Sequence, residues 1–246
     1  MAETRFKIWR GDKEGGDFSE YTTEVTEGMV VLDAVHQIQA ESANDLAVRW
    51  NCKAGKCGSC SAEINGRPRL MCMTRLSDLP LDEGVTIEPM QTFEIEKDLV
   101  TDVSRTYKVK EKIPKFSPRP ADNEDGTWRI DSVDTDRVQE FRKCIECYLC
   151  QDVCHVLREH ELHDEFVGPR FLVYIAALDM QPIDIETRTK QLKDEYGIGY
   201  CNITKCCTTV CPENIKITDN AIIPLKERVA DDFYDPVKKL MRIFKK

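Results

Sequence analysis

The sequence predicts an α+β protein in two parts, strand-rich at its N-terminus and helical at its C-terminus. Three observations carry that expectation. Before residue 100, apolar residues alternate with polar ones in several short runs. Prolines and acidic residues then crowd the stretch 108–134. Beyond it the β signals fade and helical spacing takes over.

Each element has its own signal. Arg5-Phe6-Lys7-Ile8-Trp9 alternates, as does Tyr21 to Thr26, and the two predict a hairpin. Met29 to Ala40 sets Val31, Leu32, Val35 and Ile38 at helical spacing, for packing on a sheet. Ala62-Glu63-Ile64 runs into Asn65-Gly66, which suits a type I′ turn because both central residues need positive φ. Gly84 precedes a last strand, Val85-Thr86-Ile87-Glu88. The expectation is a small mixed sheet crossed by one helix. Pro114, Pro118, Pro120 and the run Asp122-Asn123-Glu124-Asp125-Gly126 then read as an interdomain connection. Asp136 to Lys143, Pro169 to Asp179, Asp184 to Tyr196, Pro224 to Asp232 and Pro236 to Phe244 read as helices. Pro169, Pro224 and Pro236 fit helix starts, where a missing N–H costs nothing. The expected boundaries are 1–107, 108–134 and 135–246.

Composition excludes several classes. The chain has 246 residues, 41% of them hydrophobic, which is enough for real cores. A net charge of −9 and a pI near 5.1 argue against nucleic acid as a partner, since phosphate binding needs a basic surface. The longest apolar run, Phe171 to Leu178, falls far short of the roughly 20 residues of a membrane span. Met1-Ala2-Glu3-Thr4-Arg5 opens without an apolar core, so no export signal is expected.

Twelve cysteines cluster at metal-ligand spacings in a chain too large to need disulfide staples. Cys52-x4-Cys57-x2-Cys60, with Cys72 further on, matches the plant-type spacing for a [2Fe–2S] centre. Gly55 and Gly58 let that loop fold tightly and turn N–H groups toward sulfur. Structural zinc sites place their thiolates as two short pairs, which this loop does not. Further on, Cys144-x2-Cys147-x2-Cys150-x3-Cys154 is the run that wraps a cubane cluster, with its fourth cysteine ligating the other cluster. Cys201-x2-Thr204-x2-Cys207-x3-Cys211-Pro212 repeats it with one thiol missing.

In the crossed register, Cys144, Cys147, Cys150 and Cys211 hold a [4Fe–4S] cluster, and Cys154, Cys201 and Cys207 hold the other. Thr204 stands in the slot of the fourth thiolate. A hydroxyl holds iron weakly, so the expected species is [3Fe–4S]. These regularities predict a plant-type ferredoxin (β-grasp) domain followed by an all-α, two-cluster ferredoxin-like domain.

Cys206 fits neither register and reads as a buried small thiol, with rescue of the incomplete cluster as the rival reading. His36 reads as ordinary surface. His155 follows a ligand and either packs there, tunes the third cluster or reaches a quinone. No Ser/His/Asp set, phosphate-cradling loop or paired acid–base site is present in the sequence. Pro236 to Lys246 reads as a basic amphipathic tail that lies on a membrane surface or a membrane subunit, or else as a solvated helix.

The three cysteine sets together resemble those of the iron–sulfur subunit of succinate dehydrogenase and fumarate reductase, over nearly the whole chain. The resemblance implies electrons that pass from FAD in a flavoprotein subunit through the [2Fe–2S], [4Fe–4S] and [3Fe–4S] centres to quinone at a membrane anchor subunit. It implies no dicarboxylate site on this chain, and a peripheral place on the cytoplasmic face of a bacterial inner membrane. Many members of the family resemble one another in Pro-Ser-x-Trp-Trp after the fourth cysteine of the first run. Here His155-Val156-Leu157-Arg158-Glu159 stands there, and Asn202 replaces a histidine of those members. His155 and Asn202 thus mark an altered quinone neighbourhood, with menaquinone as the expected acceptor and haem b in the anchor as a further route. Rival readings are the reverse direction, fumarate reduction, a soluble multi-cluster electron carrier, the iron–sulfur subunit of another flavoenzyme, and a zinc protein.

Overall fold

The computed structural model describes residues 2–236. The chain forms an α+β structure in two compact units. The first comprises 1–105 with two later stretches, 145–153 and 210–212; the second comprises 106–144, 154–209 and 213–246.

The first unit is built on one mixed sheet. Strand β1 (Ala2–Asp12) pairs antiparallel with β2 (Gly15–Val25), in register from Ala2 opposite Val25 to Asp12 opposite Gly15. Helix α1 (Val31–Glu41) follows. Strands β3 (Ser61–Ile64) and β4 (Arg67–Leu70) form the expected tight hairpin, with φ of 49° at Asn65 and 68° at Gly66. Strand β5 (Val85–Glu88) lies parallel to β1 and antiparallel to β3. Two short strands, β6 (Ile95–Lys97) and β7 (Val100–Thr101), complete the order β4-β3-β5-β1-β6-β7. Phe6, Ile8, Ala62, Ile64, Val85 and Ile87 are buried with α1 residues Leu32, Val35 and Ile38. Each fully buried Leu or Ile side chain of this set contributes about 1.5–3 kcal/mol.

The start of α1 is tied to the chain around Cys72. Val31 N–H donates to Thr74 O at 2.9 Å and Leu32 N–H to Met71 O at 3.2 Å. Helix-start N–H groups have no partners within their own helix, so these bonds satisfy them and fix the segment that carries Cys72. The stretch 145–153 is equally well tied into this unit. It contains the four-residue helix α4 (Leu149–Asp152), which follows α2 (Ser104–Lys112) and α3 (Ser132–Arg142) in the chain. Leu149 joins the apolar core, Ser61 Oγ donates to Cys147 O at 2.8 Å, and Thr92 N–H donates to Asp152 Oδ1 at 3.1 Å.

The second unit is helical. After α3 come α5 (His155–Arg158), α6 (Pro169–Asp179), α7 (Thr189–Asp194), α8 (Cys206–Thr209), a π-helical turn over Ile217–Ile222, and α9 (Ile223–Phe233). Pro169 opens α6 and Pro224 lies in the first turn of α9, where proline is tolerated.

Three expectations are corrected. The helix expected over Asp184–Tyr196 begins only at Thr189, because the residues before it are engaged elsewhere. Ile185 N–H donates to Ser117 O at 2.9 Å, and Arg119 N–H donates to Ile183 O at 2.8 Å. Arg188 is fully buried and holds Asp184 Oδ2 at 2.9 Å, Pro114 O at 3.0 Å and Lys115 O at 3.0 Å. For the same reason, much of the stretch read as a connection is bound into the second unit, and α2 covers its first residues. His36 is half-buried instead of lying on the surface, with its ring 4.7 Å from that of Trp50, edge to face. Burial pushes its pKa down, and Lys53 adds to the shift. The helix expected over Pro236–Phe244 lies, from residue 237 onward, outside the described residues.

Candidate metal centres

All twelve cysteines are outside disulfides. Among the described residues, no three His, Cys, Asp or Glu side chains converge as ligands of a single ion would. The thiols line loops and a cleft instead.

In the first unit, Cys52, Cys57, Cys60 and Cys72 each accept a main-chain N–H. Ala54 and Lys56 donate to Cys52 Sγ at 3.3 Å each, and Gly55 to Cys72 Sγ at 3.3 Å. Cys52 N–H lies 3.5 Å from Cys57 Sγ, and Cys72 N–H 3.5 Å from Cys60 Sγ. Positive φ at Lys53 (55°), Gly55 (65°) and Gly58 (69°) turns these N–H groups inward. Such alternation makes the concave, anion-binding backbone found at many iron–sulfur sites. The N–H groups of Ala54 and Lys56 pull the Cys52 thiol down to about 6, whereas burial pushes Cys60 up to about 12. A bound cation cluster would deprotonate both. At Gly58 a Cβ would lie 2.7 Å from Cys147 Cα, so only glycine fits.

The two later runs share a backbone signature. Residues two and four places after Cys144, Glu146 and Tyr148, have φ of 56° and 61°. The same places after Cys201, Ile203 and Lys205, have φ of 64° and 65°. None of these four is a residue type that favours the left-handed region, and isoleucine, which is β-branched, is the least suited. The repeat therefore extends from letters to dihedrals, and it survives at Thr204. Cys147, Cys150 and Cys211 belong to the first unit, and Cys144 to the second.

Within the second unit, Cys154, Cys201 and Cys207 line one cleft together with His155, Asn202, Thr204, Cys206 and Thr218. Cys154 immediately precedes α5, and burial raises its thiol to about 11. Lys226 Nζ on α9 donates to Cys201 O at 2.5 Å and Ile198 O at 3.3 Å, which anchors the Cys201 loop. Cys206 is only half-buried. Thr204 Oγ1 donates to its Sγ at 3.3 Å, and contacts from Cys207 first, then Thr204 and His155, pull its thiol down to about 5. The expectation of an inert buried thiol thus meets a polar setting. Asn202 is exposed at the cleft, and the His155 ring lies 6.5 Å from that of His160. The sequence reading did not single out Thr208 and Thr218, because a threonine near a cluster has no spacing that marks it.

The donor set fits iron–sulfur clusters: thiolates, inward N–H groups and dihedrals repeated at equivalent places. Residues 5–108 match the family model of a 2Fe-2S iron-sulfur cluster binding domain, and residues 140–215 that of a 4Fe-4S dicluster domain. A chain of the Mycobacterium smegmatis Sdh1 complex in the apo form is 60% identical, with a TM-score of 0.92 over 96% of this chain and 98% of that one. The fumarate reductase iron-sulfur subunit of Mycobacterium tuberculosis is 32% identical over 204 residues, 80% of each chain. An uncharacterized iron-sulfur protein of Methanococcus maripaludis is 30% identical over 86% of this chain, which spans 42% of that relative's length.

Proposed function

The chain belongs to the family of iron–sulfur subunits of succinate dehydrogenases and fumarate reductases, and on that basis we propose that it connects a flavoprotein subunit to a quinone-reducing membrane anchor. Three clusters, when bound, would carry single electrons in turn between FAD and quinone. Cys52, Cys57, Cys60 and Cys72 would hold the [2Fe–2S] centre in a plant-type ferredoxin (β-grasp) domain, 1–107. Cys144, Cys147, Cys150 and Cys211 would hold the [4Fe–4S] centre. Cys154, Cys201 and Cys207 would hold a [3Fe–4S] centre, with Thr204 at the vacant corner, in the helical region 135–246. The single observation behind this reading is the repeated left-handed pair after Cys144 and Cys201, because it extends the register to a run that lacks a thiol.

The chain's own residues position the clusters, screen them from water and supply donors to their sulfurs. Quinone reduction, with menaquinone as the acceptor, would take place beside His155 and Asn202 or at a site in the anchor reached through haem b. The protein would then lie peripherally on the cytoplasmic face of a bacterial inner membrane; among the described residues no helix is long and apolar enough to cross one. Succinate oxidation is the favoured direction because the relative at 60% identity is from an Sdh1 complex. Fumarate reduction is the second reading, on the name of the mycobacterial relative at 32%.

The test is capture of the tagged chain from solubilised membranes, with flavin analysis, electron paramagnetic resonance and a succinate:quinone assay. Co-purification with a flavoprotein and a membrane protein, with two-, three- and four-iron signals, is expected. A monomer without flavin partner, or zinc in place of iron, would sink the reading.

A further inference from the structure

The π-helical turn Ile217–Ile222 places Thr218, which is fully buried, beside a cysteine of the second-unit cleft. Thr218 Oγ1 lies 3.4 Å from Cys207 Sγ. Two further contacts orient the Thr218 hydroxyl. Thr218 N–H, one of the helix-start donors with no partner inside the turn, donates to Thr208 Oγ1 at 3.0 Å. Thr208 Oγ1 in turn donates to Thr218 Oγ1 at 3.1 Å. The Thr218 oxygen is therefore already an acceptor, and its own proton is left for sulfur. A cluster-ligating cysteine carries no proton, so across the 3.4 Å contact only Thr218 can donate.

We infer that Thr218 is a positioning residue that donates a hydrogen bond to the Cys207 sulfur, holds the potential of the terminal cluster up, and is itself oriented by Thr208. The inference rests on Cys207 being a ligand of that cluster. A donor on sulfur stabilises the reduced, more negative state, and hydrogen bonds to sulfur are among the determinants of cluster potential. The contact is dry, since both side chains are buried, so solvent does not replace the bond when it is removed. The π turn gives the arrangement its geometry: such turns are rare and are frequently found at functional sites.

The experiment is a redox titration of the assembled complex, followed by electron paramagnetic resonance of the three-iron signal, in Thr218→Val and Thr218→Ser. Valine keeps the shape and removes the hydroxyl; serine keeps the hydroxyl. At the ambient potential where the parent cluster is half reduced, Thr218→Val should show a reduced-to-oxidised ratio lower by about threefold to tenfold. That is a downward midpoint shift of about 30–60 mV at ~59 mV per tenfold for one electron. The two-iron and four-iron midpoints should stay in place, and Thr218→Ser should stay close to the parent. An exchangeable-proton coupling to the three-iron signal should be present in the parent and lost in the valine variant. An unshifted midpoint in Thr218→Val, or an equal shift in Thr218→Ser, would overturn the inference. If the valine variant fails to assemble, Thr208→Val carries the test and should shift the same midpoint downward by less; no shift there would overturn it. Absence of any three-iron signal in the parent would instead overturn the ligand assignment itself.

Discussion

The loop of the first unit and the cleft of the second surround their cysteines with different donor sets. In the loop every one of the four sulfurs accepts a main-chain N–H. In the cleft, main-chain N–H groups of Leu157 and Val156 reach the Cys154 sulfur, and threonine hydroxyls lie 3.4 Å from Cys207 Sγ and 3.3 Å from Cys206 Sγ. Main-chain donors persist through any substitution that preserves the backbone, whereas a hydroxyl donor disappears with one side chain. The loop is therefore fragile to changes of backbone shape and tolerant of side-chain chemistry, whereas the cleft adds a sensitivity to single side chains beside Cys206 and Cys207.

Substitutions on either side probe this contrast. The frame of the second unit also depends on a side chain, so Arg188→Ala should have the largest effect. It leaves the buried Asp184 carboxylate without its counter-charge and should cost about 3–5 kcal/mol, read as a lowered midpoint in denaturant. Gly58→Ala strikes the loop through its backbone. Strain at φ of 69° and the clash with Cys147 should together cost about 3 kcal/mol and bleach the two-iron absorbance, while the three-iron signal persists. Thr204→Cys supplies the missing thiolate with little change in stability. Iron analysis should show added iron, and the three-iron signal should give way to that of a second cubane. Gly66→Ala, in the hairpin turn, should cost about 1 kcal/mol in thermal stability and leave every cluster signal alone. Cys206→Ser should change the least: the three-iron signal should keep its form, and a change of cluster type would make Cys206 a ligand of that cluster.

Much of the fold was legible in local patterns. The Asn65-Gly66 turn, the burial of Val31, Leu32, Val35 and Ile38, and strands β1, β2 and β5 all follow from period and turn chemistry. The cysteine spacing picked out the thiols that line the loop and the cleft. What escaped depends on distant partners. A stretch rich in proline and acid reads as a linker unless the burial of Arg188 against Asp184 is known. The left-handed residues Glu146, Tyr148, Ile203 and Lys205 run against their own preferences and are held by the loops they serve. Thr218 is one threonine among many until the π turn brings it to Cys207.

The discontinuity of the first unit also has a temporal side. Its sheet can close once the chain has been made through β7, but its last pieces come from residues 145–153 and 210–212. At about 5–20 residues per second on the ribosome, residues 145–153 emerge roughly 2–10 s later and 210–212 roughly 5–20 s later. During that interval Gly58 and Ser61 lack the Cys147 segment that will cover them. Nascent chains therefore pass through a stage in which the thiols of the first loop are already arranged and still open, and iron and sulfide can enter before the later chain seals that face.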